Sequence, residues 1–254
     1  MTRDSPVRRI VRDAGAVAAR RHAIPAWVAA DITDVTPRIG GESGVSMTAY
    51  VASTLARAVA DHPRVHSSRD VMGRIITYES VDINVTVEVS VDGQSFPMNH
   101  VVRSADRRDA ADLHSEIHTV KNRPGSSDTL RMARSTQWYL HVPGPVRRRV
   151  LMGTLHRLPD LQRRLIGTVG LTSVGMHGRG AGTGFPFLLH TLDVLVGGLE
   201  DRRIVDDAGA PQPRQLLWVS LVADHDVVDG VPLTRFIAAF RDGLESGDAL
   251  GSST

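Results

Sequence analysis

The alternation of apolar and polar positions predicts a mixed α/β architecture. Every second residue from Val81 to Val91 is apolar, which is the period of a β-strand with a buried face. An apolar run at 216–223, interrupted only by Ser220, predicts a buried strand. Apolar positions at helical spacing and helix start signals predict helices at 7–22, 45–60, 107–120 and 232–240.

Composition narrows the class of protein. The 254 residues are 41% hydrophobic and contain no cysteine, which excludes disulfides, a thiol nucleophile and a Cys-ligated zinc site. No apolar run is long enough for a signal peptide or a membrane span, so we expect a cytoplasmic protein. The net charge is only +2, and Lys121 is the single lysine among 30 basic residues, so a nucleic-acid surface is disfavoured.

Chemistry is concentrated in residues 224–230, Asp-His-Asp-Val-Val-Asp-Gly, between the apolar run and the last helix. His225 stands at the predicted strand end, with Asp229 four residues later and Gly230 beside it. An unperturbed imidazole is half-deprotonated near neutral pH, so His225 is a candidate general base.

This segment resembles the C-terminal signature of the acyltransferase components of 2-oxoacid dehydrogenase complexes and, more distantly, chloramphenicol acetyltransferase. Further matches follow in the family's order along the chain, and the spacing from Thr172 to His225 is the family's. They lie at residues 8–12 with 23–28, 30–36, 46–66, 78–85, 101–106 and 167–176.

The resemblance implies a chloramphenicol acetyltransferase-like α/β sandwich with a mixed sheet, in one catalytic domain over residues 1–254. It also implies a homotrimer whose active sites lie between subunits, with acyl-CoA as a substrate and no metal. We recognise no lipoyl domain, subunit-binding domain or Ala/Pro-rich linker in the sequence, so we expect a stand-alone enzyme without its own lipoyl group.

The resemblance also assigns roles at the site. His225 would be the base, its ring oriented by its own backbone carbonyl. Asp229 would be structural and pair with Arg8 or Arg9, and Gly230 would permit the turn into the last helix.

Thr172 would donate its hydroxyl to the oxyanion, a place where the family usually has Ser. Ser173 is the competing candidate. Adjacent strand residues point to opposite faces, so only one of the two can face the site.

Four departures from the family pattern bear on function or assembly. Asp226 replaces the Arg that commonly follows the motif His, which puts the acceptor in question. Ala26 replaces a His, and Ser173 replaces an Asn. The C-terminus at 244–251 lacks the leucine-rich end that joins trimers into large cores, so we expect a trimer only.

Three other segments have two interpretations each. Residues 136–165 predict one or two short basic helices, either a lid or trimer-packing insertion or a surface for a partner or the CoA phosphates. His114 and His118 have zinc-ligand spacing but fit a solvated helix face better. The glycines at 175–184 are interpreted as a hairpin loop rather than a phosphate cradle.

Function is predicted as acyl transfer between CoA and a thiol acceptor of the dihydrolipoyl kind, on a lipoyl-bearing protein or a small molecule. Two alternatives remain. One is O- or N-acylation of a small molecule by the same mechanism, and the other is a non-catalytic trimeric scaffold of the same fold.

Overall fold

A mixed six-stranded sheet organises the computed structural model, which describes residues 6–40, 44–91, 94–128, 141–173, 180–205 and 209–251. Its strands are β1 (Ala23–Asp31), β4 (Ile83–Val91), β5 (Gln94–Val102), β6 (Val169–Ser173), β7 (Leu192–Val205) and β8 (Pro211–Asp224). Their spatial order is β1-β8-β7-β6-β4-β5. Strand β6 is parallel to both of its neighbours, and the other pairs are antiparallel. Strands β2 (Ser68–Arg69) and β3 (Ile75–Ile76) form a separate hairpin.

Six helices are described: α1 (Pro6–Ala18), α2 (Met47–Asp61), α3 (Ala110–Asn122), α4 (Gly144–Arg157), α5 (Pro159–Ile166) and α6 (Gly230–Ser246). The helices predicted at 7–22, 45–60, 107–120 and 232–240 are confirmed, although the first ends four residues early. Helix α2 begins where Ser46 accepts a hydrogen bond from the Ala49 N–H at 3.3 Å, and α3 begins where Asp109 accepts from Asp112 at 2.7 Å.

One face of the sheet packs against helices and forms the core. Side chains alternate across the pleat, so a row at equivalent register positions shares this face. Each member of the row across β4, β6, β7 and β8 is fully buried: Val85, Leu171, Val194 and Leu221. Phe236, Phe240 and Tyr50 from helices α6 and α2 belong to the same core.

The next register row occupies the opposite face and is polar at one end. It runs through Thr86, Thr172, Leu195 and Ser220, and it ends at Trp27 on the edge strand β1. Thr86 and Thr172 are partly exposed, and Trp27 is 61% exposed. The row that contains the predicted oxyanion residue is therefore the row that faces away from the core.

A buried charge cluster fixes the start of β6. The Asp82 carboxylate, 1% exposed, is paired with Arg103 at 3.0 Å and with Arg163 at 2.9 Å. Gly167 turns the chain beside it with φ of 77°, and a Cβ there would lie 2.6 Å from the Asp82 carbonyl oxygen. Only glycine combines this φ with such an approach, so Gly167 sets the entry of the chain into β6.

Glycines also allow the segment that begins at residue 180 to pack closely on β7. The β7–β8 register shifts between Val196 and Leu199, at the pair Gly197 and Gly198. A Cβ at either glycine would lie within 2.5 Å of the carbonyl oxygen of Gly182 or Gly180. The described part of the glycine-rich segment thus packs directly on this strand, whereas its residues 174–179 lie outside the described part of the chain.

Candidate active site

His225 lies in the turn that follows β8, directly after the buried strand end at Asp224. Its backbone N–H donates to the carbonyl oxygen of His22 at 2.8 Å, which ties the turn to the residue preceding β1. The residue is exposed, so its ring is accessible to a second molecule. The predicted place of His225, at a strand end before the last helix, is the one found.

Charged groups surround the base of this turn. Asp224 and Arg21 form an ion pair at 3.0 Å with both side chains under 10% exposed, and Arg21 also donates to the carbonyl of His190 at 2.7 Å. Asp224 belongs to the motif at 224–230, but nothing in the sequence predicted its pairing with Arg21. An Arg paired with an Asp near the motif was expected, but at Asp229 and with Arg8 or Arg9.

Asp229 occupies the N-cap position of α6, and its side chain makes no capping hydrogen bond. The residue is exposed, and its backbone carbonyl accepts from the Leu233 N–H at 3.1 Å. Gly230 is the first residue of the helix and has no positive φ. The helix start therefore needs no unusual backbone conformation at Gly230, contrary to the role that the sequence suggested.

Asp226, the reversed charge of the motif, has a partner of its own. Its carboxylate lies 2.9 Å from Nδ1 of His22, and Arg69 donates to its backbone carbonyl. Hydrogen bonding and charge from Asp226 raise the pKa of His22 above 6.5. A cavity of about 200 Å³ adjoins this side of the turn and is lined by Arg21, Ser68, Arg69, Asp70, Thr191, Asp224, Asp226 and Val227.

Thr172 and Ser173 point to opposite faces of the sheet, as expected of neighbours in a strand. The Thr172 hydroxyl lies 3.2 Å from that of Thr86 on β4, which in turn lies 3.2 Å from the side-chain oxygen of Asn99 on β5. Ser173 shares the face of Leu171, two residues before it, which packs against the helices. It lines a cavity of about 140 Å³ beside α2 and α3, together with Ser46, Thr48, Thr86, Val87, Glu88, His114, Ile117, His118 and Lys121.

Within one chain, His225 and Thr172 are far apart. The Asp224 N–H donates to the carbonyl of Thr191, whereas Thr172 pairs with Leu195 further along β7. Thr172 is therefore roughly five residues and two strands away from His225, which corresponds to about 15–20 Å at ~3.3 Å per residue and ~4.8 Å between strands. A single subunit does not bring the two predicted residues together.

A buried histidine beside β6 carries contacts that the sequence did not reveal. His190, 1% exposed, places Nδ1 at 2.6 Å from Asp193 and Nε2 at 2.7 Å from the carbonyl of Ile166. A Cβ at Gly170 would lie 1.9 Å from the Asp193 carboxylate. The pair thus occupies the space that a side chain at position 170 would fill, and it joins the starts of β6 and β7.

The segment at 136–165 forms α4 and part of α5, as one or two short helices were predicted there; Trp138 and Tyr139 lie outside the described residues. Arg147, from the run of three arginines, forms a buried ion pair with Asp13 of α1. One arginine of this basic run is therefore part of the packing between α4 and α1.

Within the described ranges, no group of three or more His, Asp or Glu side chains could hold a metal ion. His114 instead accepts a hydrogen bond from the Ser46 N–H at 3.2 Å, so it supports the start of α2. Among the described helices, none is long and apolar enough to cross a membrane.

Comparison with known proteins matches residues 161–251 to the family model of the 2-oxoacid dehydrogenases acyltransferase (catalytic domain). The chain is 27% identical over 211 residues to the dihydrolipoyllysine-residue acetyltransferase component 4 of the chloroplastic pyruvate dehydrogenase complex of Arabidopsis thaliana. It is 25% identical over 194 residues to the corresponding component of Mycoplasma pneumoniae. These alignments cover 82% and 76% of this chain but only 36% and 39% of the relatives.

Solved structures share the fold over nearly the whole chain. The cubic core of the pyruvate dehydrogenase multienzyme complex has a TM-score of 0.69 at 18% identity, covering 98% of this chain and 94% of that one. The Azotobacter vinelandii dihydrolipoamide acetyltransferase gives 0.70 at 20% identity, covering 98% and 93%. A chloramphenicol acetyltransferase gives 0.51 at 13% identity, covering 92% and 94%.

These comparisons confirm the predicted resemblance and the predicted fold class. The matched family and both relatives are acyltransferases, which is the enzyme class that the sequence predicted.

Proposed function

We propose, from the premise that residues 161–251 match the acyltransferase catalytic domain of the 2-oxoacid dehydrogenases, that this protein transfers acyl groups between CoA and an acceptor. The observation that carries the proposal is the accessible His225 at the end of β8, inside the matched segment and in the family's sequence context. We further propose that residues 1–254 form one catalytic domain, with 136–165 as an insertion, in a cytoplasmic enzyme.

His225 would act as the general base on a thiol acceptor. The neutral imidazole takes the S–H proton while the sulfur forms a bond to the thioester carbonyl carbon of acyl-CoA. The tetrahedral intermediate then collapses, its bond to the CoA sulfur breaks, and the imidazolium returns the proton to the CoA thiolate. Proton and charge balance within the site, so no metal or redox group is needed.

Thr172 would donate its hydroxyl to the oxyanion of that intermediate. Its orientation away from the core supports this choice over Ser173, whose side chain lies on the helix-packed face. A serine, a histidine and an asparagine were studied for their role in the catalytic mechanism of the Azotobacter vinelandii dihydrolipoamide acetyltransferase. We propose that Thr172 takes the place of such a serine in this chain and His225 that of such a histidine.

The separation of about 15–20 Å within one chain supports a site shared between subunits. We propose a homotrimer in which His225 of one subunit meets Thr172 of the next. Exposed aromatic side chains on the sheet face that carries Thr172 support this assembly, since Trp27 and Phe185 are 61% and 51% exposed while in contact with each other.

The acceptor we propose is a dihydrolipoyl-like thiol, carried by another protein or free in solution. Asp226 favours keeping a second candidate, the O- or N-acylation of a small molecule, because its carboxylate and the ring of His22 form a hydrogen-bonded polar pair beside His225. A polar acceptor would find partners there that a plain thiol arm would not use.

The test is acyl transfer from acetyl-CoA to free dihydrolipoamide by the wild type and two variants. We expect His225→Ala to lower kcat by roughly 10²–10⁴-fold, as for loss of a general base. We expect Thr172→Val to lower it by roughly 10²–10³-fold, as for loss of an oxyanion donor.

Mixing the two inactive variants tests the shared site. After unfolding and refolding together, a mixed trimer contains interfaces with the intact His225 of one chain and the intact Thr172 of another. Random assembly at equal amounts would restore roughly a quarter of wild-type activity. No recovery in trimers that are mixed would contradict a site formed between subunits.

The acceptor is tested with the same wild-type protein. CoA release with small alcohols or amines but not with dihydrolipoamide would replace the thiol proposal by the second candidate. Absence of both turnover and CoA binding would overturn acyl transfer in favour of a trimeric scaffold.

A further inference from the structure

A line of three polar side chains leads to Thr172 across the open face of the sheet. Thr172, Thr86 and Asn99 occupy paired register positions on β6, β4 and β5. The hydroxyl oxygens are 3.2 Å apart, and the Thr86 hydroxyl is 3.2 Å from the Asn99 side-chain oxygen. The line ends at Asn99, which is exposed on the edge strand.

The number of hydroxyl hydrogens restricts the directions that the hydrogen bonds along this line can take. A threonine hydroxyl carries one hydrogen, so it donates only once. With the oxygen of Asn99 towards Thr86, Thr86 donates to Asn99 and Thr172 donates to Thr86. The single hydrogen of Thr172 is then occupied, and Thr172 meets an incoming oxyanion with lone pairs only.

Rotation of the Asn99 amide by 180° reverses the direction of both hydrogen bonds in the line. The NH₂ group then donates to Thr86, Thr86 donates to Thr172, and the Thr172 hydrogen is free. Amide oxygen and nitrogen have nearly the same shape, so the rotation needs no change in packing. An oxyanion donor that is already oriented avoids reorganisation during the reaction.

We infer that Asn99 and Thr86 are positioning residues for acyl transfer: in the active form the Asn99 amide donates to Thr86, which donates to Thr172 and directs the Thr172 hydrogen at the oxyanion. This inference rests on the proposed function, because it assigns the oxyanion to Thr172. Neither Asn99 nor Thr86 touches the reacting atoms.

Asn99→Asp tests the direction of the line, because an ionised carboxylate only accepts. The carboxylate should accept from Thr86, which then accepts from Thr172, so that the Thr172 hydrogen is no longer available to the oxyanion. We expect kcat to fall by about 10–100-fold with the KM for acetyl-CoA unchanged. Thr86→Ser keeps the line and should retain wild-type kcat. Asn122→Asp adds the same charge at the exposed end of α3 and should leave kcat unchanged.

The pH dependence gives a signature that a merely structural role would not produce. The carboxyl introduced by Asn99→Asp can donate once it is protonated. The ratio of kcat for this variant to that of the wild type should therefore rise as the pH falls through the range in which carboxyls protonate. The ratio cancels the titration of His225, which both proteins share. Wild-type kcat in Asn99→Asp, or a fall equal to that in Asn122→Asp, would overturn the inference.

A neutron crystal structure of the deuterated wild type decides the direction without any turnover. Deuterons on the Asn99 nitrogen directed at Thr86, and on Thr86 directed at Thr172, are the expected result. An Asn99 oxygen facing Thr86 in a trimer with CoA bound would overturn the inference. An inactive wild type whose deuterons follow the expected direction would instead count against the proposed function alone.

Discussion

At the scale of single residues, a charged neighbour raises the pKa of one histidine and burial lowers the pKa of another. His22 is open to solvent and lies beside His225. Its hydrogen bond to the Asp226 carboxylate raises its pKa. His66 is 2% exposed, and burial lowers its pKa to about 4. Its Nδ1 has no hydrogen-bond partner among the described residues, so protonation would leave a buried charge uncompensated.

Acid sensitivity should follow from His66. Its folded pKa lies below the unfolded value of 6.5, so the unfolded chain takes up the proton first and stability falls as the pH drops from about 6.5 towards 4. His66→Phe should reduce the loss of unfolding free energy between pH 7.5 and pH 5 by about 1–2 kcal/mol. Urea titrations at the two pH values measure this, and His118→Gln, an exposed site, should leave the loss as in the wild type.

At the scale of elements, β6 is held by buried polar contacts at its start. The Asp82 cluster fixes the turn at Gly167, and the pair of His190 and Asp193 lies against Gly170. Both contacts precede Thr172 by only a few residues. The position of the predicted oxyanion hydroxyl therefore depends on polar groups that do not contact the substrate themselves.

Gly170→Ala should disturb this arrangement. The added Cβ would lie 1.9 Å from the Asp193 carboxylate and 2.9 Å from the His190 ring, so the pair must move. We expect a loss of about 1–3 kcal/mol in unfolding free energy, as for overpacking of a filled site. Gly125→Ala, where no atom lies within 4 Å of the added Cβ, is the matched control. Equal stability of the two variants would contradict the tight contact at position 170.

At the scale of the whole molecule, the two sheet faces differ in what covers them. Helices bury one face, whereas the row from Thr86 to Trp27 lies on the other and ends at an exposed aromatic ring. Large exposed apolar side chains in a group are typical of interaction surfaces. The same face carries Thr172, so the proposed trimer would complete the proposed site as it assembles.

Trp27→Glu should therefore separate the subunits and abolish acyl transfer together. In the proposed trimer the ring would pack against a neighbouring subunit, and a charge placed there would be desolvated and unpaired. Sedimentation velocity measures the assembly, and the acetyl-CoA assay measures the activity. Met72→Glu, at an apolar residue that is 74% exposed in the turn between β2 and β3, should remain trimeric. A trimeric and active Trp27→Glu protein would place the interface elsewhere.

Local patterns in the sequence carried the prediction of elements and of the main candidate residue. The strict alternation from Val81 to Val91 predicted β4, and the apolar run at 216–223 predicted β8, because burial of one or both faces imposes those patterns. His225 was found because its neighbours in the chain form the motif. The choice of Thr172 over Ser173 followed from register, and the two residues do face opposite sides of the sheet.

Local sequence patterns could not predict the contacts between segments that are distant in the chain. Nothing in the sequence singled out Arg21, yet it pairs with Asp224 across 203 positions, and Asn99 reaches Thr86 only through pairing of β5 with β4. The expected pairing of Asp229 with Arg8 or Arg9 was drawn from the family, whereas the ion pair at the base of the turn joins other residues. Such pairs leave no periodic signal, because each partner alone looks like an ordinary surface charge.

The sequence by itself determined strands β4 and β8, most of the described helices, the family resemblance and the candidate base, because hydrophobic period and motif spacing are properties of neighbouring residues. Only the tertiary structure decided which polar groups meet, which sheet face the helices leave uncovered, and that His225 and Thr172 lie at separate places in one chain. These depend on strand order and register, which are fixed by the joint burial of segments far apart in the sequence.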